Sequence, residues 1–236
     1  MNNKHDNQAY DFINPWLDGL DYDWSLLENQ GTIQKFNIDD TIFHQNELGE
    51  YLYIIVSGRV RLSLISPNGE EKALAIIGVN GILGECSLNN DLKYATNAIT
   101  ASQVIVQKVK RTTFLSELSK NPNLYTQLLD MITHKYRLLC MQSMELSYLK
   151  SMPRVCATFI NLAMRYGDKI KDQQIKLTIS FTHQEMANLL GITRVTIAKN
   201  IKWLEGNGYL IKNNKHYTIT NLDSLVELAN QEMMLQ

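Results

Sequence analysis

The chain has 236 residues, 44% of them hydrophobic, which is enough for two ordinary domains. Its net charge of −1 argues against a protein that coats polyanions, but the charge is uneven. Residues 151–236 hold ten basic and seven acidic side chains, residues 1–150 thirteen and seventeen. No basic start leads into an apolar run, and no apolar stretch is long enough for a bilayer, so the expectation is a cytosolic protein without a membrane partner.

Residues 1–24 are a polar start followed by Phe12, Ile13, Trp16, Leu17, Leu20, Tyr22 and Trp24, a lead-in expected to dock on a domain. From 25 to 117 the pattern becomes short β-prone runs at 31–36, 41–44, 52–56, 59–65, 71–77, 95–98 and 104–109. Turn residues such as Ser57-Gly58, Pro67-Asn68-Gly69 and Asn80-Gly81 punctuate them, which predicts an antiparallel roll or sandwich. The run Arg59-Val60-Arg61-Leu62-Ser63-Leu64 alternates, predicting a strand with one wet face.

From Pro122 to about Leu149 the period turns helical. Leu129, Ile132, Tyr136, Leu139, Ser143 and Leu146 step by three and four like a coiled-coil seam, while Leu124, Leu128, Met131, Leu138 and Met141 cover a second face. Such a helix must bury both faces, against the roll and against a second copy of itself, or else within one larger domain. Lys135 interrupts the apolar stretch. It either snorkels to solvent or offers a cation to an anionic or phenolic ligand.

Residues 150–236 open with a helix at 151–167 and a turn at Gly167-Asp168, and close with a helix at 224–235. Between them lies the most informative stretch. Thr182 and Glu185 form a capping box, Met186, Leu189 and Leu190 share a face, and Gly191 suits a left-handed helix end. Thr193 caps a second helix with a buried stripe of Ile197, Ile201 and Leu204. Val195 lies about 200° around from Ile197 at roughly 100° per residue, so it faces outward with Arg194, Lys199 and Lys202. A valine among cations suits a major groove, where it meets a thymine methyl while the cations reach bases or phosphates. Two β-prone runs around Asn213-Asn214 follow, placing Lys212, Lys215 and His216 on a wing.

The order of parts resembles the Crp/Fnr superfamily of bacterial transcription regulators over nearly the whole chain. The resemblance rests on the run from Tyr51 to Leu62, on Gly84-Glu85 after Asn80-Gly81, and on the motif from Thr182 to Leu204. It implies an α+β fold divided into a lead-in (1–24), a β-roll that senses an effector (25–117), a central dimerisation helix (118–149) and a winged helix (150–236). It further implies a homodimer on a near-palindromic double-stranded DNA site, and a small-molecule pocket between roll and central helix. Activation would add RNA polymerase as a partner, though no residue pattern marks a surface for it.

Carried over by position, the DNA-contacting candidates are His183, Gln184, Thr193, Arg194, Val195, Thr196, Lys199 and Lys202. Many members have glutamate where Val195 stands; valine cannot accept from cytosine, so the half-site should differ there. Cyclic-nucleotide-binding members grip phosphate with an Arg-Ser pair, and the aligned residues here are Tyr94 and Ala95. An effector other than cAMP is therefore expected, in a pocket of Gly84, Glu85, Cys86, Tyr94, Ala95, Thr96, Lys135 and Tyr136.

The surroundings of Tyr94-Ala95-Thr96, Lys135 and Val195-Thr196 are most similar to the halorespiration regulators, which respond to halogenated phenols. Glu85 departs from that branch, which can carry lysine there.

No iron–sulfur or haem cofactor is expected. Cys86, Cys140 and Cys156 fit no ligand spacing, and His5, His44, His134, His183 and His216 are scattered. An enzyme of the metal-dependent roll type fails on ligand count, since His44 is the one histidine in the roll segment. An effector-independent DNA binder, its roll a mere dimerisation or partner-docking platform, stays open.

Overall fold

Strands form where β-branched and aromatic residues alternate, and they pair in two sheets in the first half of the molecule. A computed structural model describes residues 14–171 and 173–234, the side chains of 232–234 excepted. Phe12 and Ile13 of the lead-in, and His5, lie outside the described residues. The chain divides into two compact units, with residues 15–140 in one and 141–236 in the other.

The first unit contains β1 (Trp16–Leu17), β2 (Gly31–Phe36), β3 (Thr41–Phe43), β4 (Tyr51–Ser57), β5 (Val60–Ile65), β6 (Glu71–Ile77), β7 (Ile82–Leu83), β8 (Asn97–Thr100) and β9 (Val104–Lys110). They assemble as β1-β6-β5-β8-β3 and β2-β9-β4-β7, antiparallel except for β1 on β6. The lead-in thus contributes a strand, with Trp16, Leu17 and Trp24 buried.

The expected wet face of the 59–65 strand is not observed. Leu62 and Ser63 are both buried, Ser63 fully, where β5 runs between β6 and β8, and the register against β6 shifts between them. The strand expected at 95–98 starts instead at Asn97, leaving Ala95 and Thr96 in a bend.

The helical run expected from Pro122 is observed there, and a further helix precedes it, beginning at Arg111 inside the segment expected to be roll. After β9 come α1 (Arg111–Lys120) and α2 (Pro122–Tyr148), the 27-residue central helix. Leu124, Leu128, Met131, Lys135, Leu138, Gln142 and Glu145 are its buried positions, a strict four-three alternation. Leu124, Leu128 and Met131 enter the roll's core with Trp24, Leu27, Leu52, Ile54, Ile82, Val109 and Phe114. The second stripe, Leu129, Ile132, Tyr136, Leu139 and Leu146, is exposed.

In the second unit, α3 (Ser151–Tyr166) leads into β10 (Gly167–Lys171) and β11 (Gln174–Leu177). Gly167-Asp168 therefore opens a strand rather than making the expected turn. β10 is an edge strand with almost every residue exposed, so no alternation betrays it. Then come α4 (His183–Leu190), α5 (Arg194–Gly206), β12 (Leu210–Asn213), β13 (His216–Ile219) and α6 (Leu222–Met234), with the sheet ordered β10-β11-β13-β12.

Candidate DNA interface and effector cavity

The helix pair is fixed by its caps. The Thr182 hydroxyl accepts from the Glu185 N–H at 3.1 Å, and the Glu185 carboxylate accepts from the Thr182 N–H at 2.6 Å. Gly191 ends α4 at φ 60°, a left-handed conformation that glycine adopts without strain. Thr193 caps α5 by accepting from Thr196 N–H at 3.1 Å. Its hydroxyl also pairs with that of Thr196 at 2.9 Å, so both hydroxyls have work within the helix.

Ile197, Ile201 and Leu204 bury the inner face of α5. Arg194, Val195, Lys199 and Lys202 stand on its exposed surface, Val195 at 64%. Gln184 is exposed on α4 and donates to Asn188 at 2.7 Å. The wing turns at Asn214-Lys215, one residue later than the expected Asn213-Asn214, with Asn214 at φ 55°. Lys212 lies 5.3 Å from the Tyr217 ring centroid.

His183, half-buried, pairs its Nε2 with the Tyr217 hydroxyl at 3.2 Å, tying the first helix to the wing. Burial, then the Lys212 and Arg194 charges, lower its pKa below the ordinary 6.5, outweighing the attraction of Glu205. The folded state then binds fewer protons than the unfolded chain, so stability falls as pH drops through 6.5 toward the folded value. The thermal midpoint should therefore fall between pH 7.5 and 5.5, and fall less in His183→Gln. Parallel curves for the two proteins would exclude this role.

In the first unit, Phe43, Leu62, Leu74, Ala75, Gly84, Glu85, Cys86, Tyr94, Ala95, Thr96, Lys135, Leu138 and Leu139 line a cavity of about 80 Å³. Seven of the eight residues expected in its lining are there. Tyr136 is not: it is 67% exposed on the other stripe, because consecutive helical residues diverge by about 100° and Lys135 takes the roll side. Phe43, Leu62, Leu74 and Ala75 carry no signal in the sequence that would mark them as lining, whereas Leu138 and Leu139, three and four residues beyond Lys135, were findable.

Lys135 neither snorkels nor stands free. It is buried, its ammonium 2.8 Å from Glu85 Oε1 and 2.8 Å from the Ile82 carbonyl. Glu85 is held by a short 3-10 turn (Glu85–Leu88) whose cap, Gly84, has φ 86°. A Cβ on Gly84 would lie 2.9 Å from the Tyr94 ring and 3.0 Å from the Tyr51 carbonyl oxygen. Tyr94 itself stacks on Phe43 at 3.9 Å and donates to the Tyr51 carbonyl at 2.8 Å. Poor hydration of its sulfur, then the Glu85 charge, push the Cys86 thiol up to about 11, so it stays protonated at neutral pH. Among the described residues no cluster of three metal-ligating side chains occurs, and no helix is long and apolar enough to cross a membrane.

A β-roll with a lined cavity and a capped helix-turn-helix with a wing define a sensor domain joined to a DNA-binding domain. The cyclic nucleotide-binding domain family matches residues 33–121 and the Crp-like helix-turn-helix domain family residues 153–228. The chain belongs to the Crp/Fnr family of DNA-binding transcription regulators.

It is 27% identical over 189 residues to the CRP-like cAMP-activated global transcriptional regulator of Mycobacterium tuberculosis, covering 80% of this chain and 84% of that one. A CooA mutant from Carboxydothermus hydrogenoformans superposes with a TM-score of 0.74 at 19% identity, over 89% of this chain and 92% of that one. OCPA-complexed CprK superposes with a TM-score of 0.69 at 17% identity, over 89% and 97%. These two likenesses concern the fold.

Proposed function

We propose that the chain is a homodimeric regulator that reads a near-palindromic DNA site through α5, gated by a small molecule other than cAMP bound in the roll. The observation that carries this reading is the double face of α2. Along residues 124–138 one heptad stripe is buried in the roll and supplies cavity walls; the other stripe is apolar and exposed. A dimer closed on the second stripe would present two α5 helices to half-sites roughly 34–36 Å apart.

The residues named for DNA contact are His183, Gln184, Thr193, Arg194, Val195, Thr196, Lys199 and Lys202. RNA polymerase joins the partners where the regulator activates. Against cAMP stands the polar chemistry of the cavity. A buried phosphodiester needs a counter-charge. Lys135 is the one cation among the described lining residues, and Glu85 already neutralises it. An aromatic effector suits the walls of Phe43, Tyr94 and leucines. CprK, in its OCPA complex, offers a fold-level parallel.

The test is DNA affinity of the full chain with and without compounds that raise its melting temperature. Affinity indifferent to every such compound would favour the effector-independent reading. Arg194→Ala should weaken specific binding by roughly 1–3 kcal/mol if it reads a base, and Val195→Glu should change preference at one base pair. A site-selection experiment checks both. Unchanged affinity and preference would remove the residue concerned from the interface.

A further inference from the structure

We infer that the roll's cavity takes a small, uncharged, mainly apolar molecule, and that Glu85 imposes this choice by neutralising Lys135. The inference deepens the proposed sensor role and rests on it. The volume of about 80 Å³ is near half the ~150 Å³ of an apolar cavity that admits benzene, which limits the ligand to a small molecule and lets a single ring enter only as the leucine walls give way.

Phe43, Leu62, Leu74, Ala75, Leu138 and Leu139 make most of the wall, and the charges it offers are the Glu85–Lys135 pair. An anion entering would be desolvated beside a cation already satisfied at 2.8 Å by Glu85 and at 2.8 Å by the Ile82 carbonyl. A cation would meet a carboxylate already matched. Displacing Glu85 is no easy escape. Its turn is pinned by Gly84, whose carbonyl accepts from the Ser87 hydroxyl at 2.7 Å and which has no room for a Cβ beside the Tyr94 ring. A neutral ligand with one hydrogen-bonding group loses little hydration and uses the pair as a dipole.

Three near-isosteric probes separate the possibilities: benzamide, benzoate and benzylammonium, titrated calorimetrically into the full chain at pH 7.5. Benzamide should bind wild type at least tenfold more tightly than either ion. In Glu85→Gln the freed ammonium should raise benzoate affinity at least tenfold, with a smaller change for benzamide. In Lys135→Gln the gain should pass to benzylammonium. The wild-type ranking stands alone if a variant does not fold.

Benzoate or benzylammonium equalling benzamide on wild type overturns the inference, as does failure of all three to bind. So does a folded Glu85→Gln protein with unchanged ranking. DNA affinity measured alongside keeps the two readings apart. A charged binder that alters it removes the ligand class and leaves the sensor intact. Benzamide binding without any effect on DNA removes the sensor role instead.

Discussion

Lys135→Met should destabilise the roll by roughly 3–5 kcal/mol, the cost of leaving one member of a buried ion pair without its counter-charge. Glu85 is only 7% exposed, and its carboxylate stands 2.8 Å from the ammonium that the substitution removes. The double variant Glu85→Leu/Lys135→Met should recover most of the stability, because apolar replacement of a buried pair is often neutral. Guanidinium denaturation in a Trp203→Phe background would read the roll alone, since the remaining tryptophans, Trp16 and Trp24, are both buried there. A destabilisation below about 1 kcal/mol would mean that the carboxylate reaches water without its partner, contrary to a penalty of that size.

Ile132→Glu should convert the proposed dimer to monomer and cut affinity for a two-half-site DNA by about 10²–10⁴, the gain that linkage of two readers provides. Ile132 is a step of the exposed stripe and lies outside the cavity wall, so the roll itself should keep its melting temperature. Sedimentation and titration with a single half-site make the check. A dimer that survives the substitution would move the interface elsewhere.

What could be read from the chain was what local chemistry decides. The capping box of Thr182 and Glu185, the left-handed Gly191 and the Thr193 cap each involve residues a few positions apart, and each is found as expected. The two stripes of α2 follow from period alone.

Three features escaped because their causes are not local. The burial of Ser63 depends on β5 lying between β6 and β8. β10 depends on pairing with β11 rather than on its own polar residues. The Glu85–Lys135 pair joins a turn to a helix fifty residues on, which spacing cannot reveal. Tyr136 shows the converse. The helical period alone separates it from Lys135, putting one on the exposed stripe and the other in the roll.

Leu139 has two memberships: it is a wall of the cavity and a step of the exposed stripe. In a dimer closed on that stripe, a ligand touching Leu139 sits one side chain from the other subunit. Reciprocal coupling follows by thermodynamic necessity: whatever the ligand adds to subunit association, association adds to ligand binding. Apparent ligand affinity then becomes a function of how much of the regulator the cell holds, so scarcity of the protein alone would blunt its response.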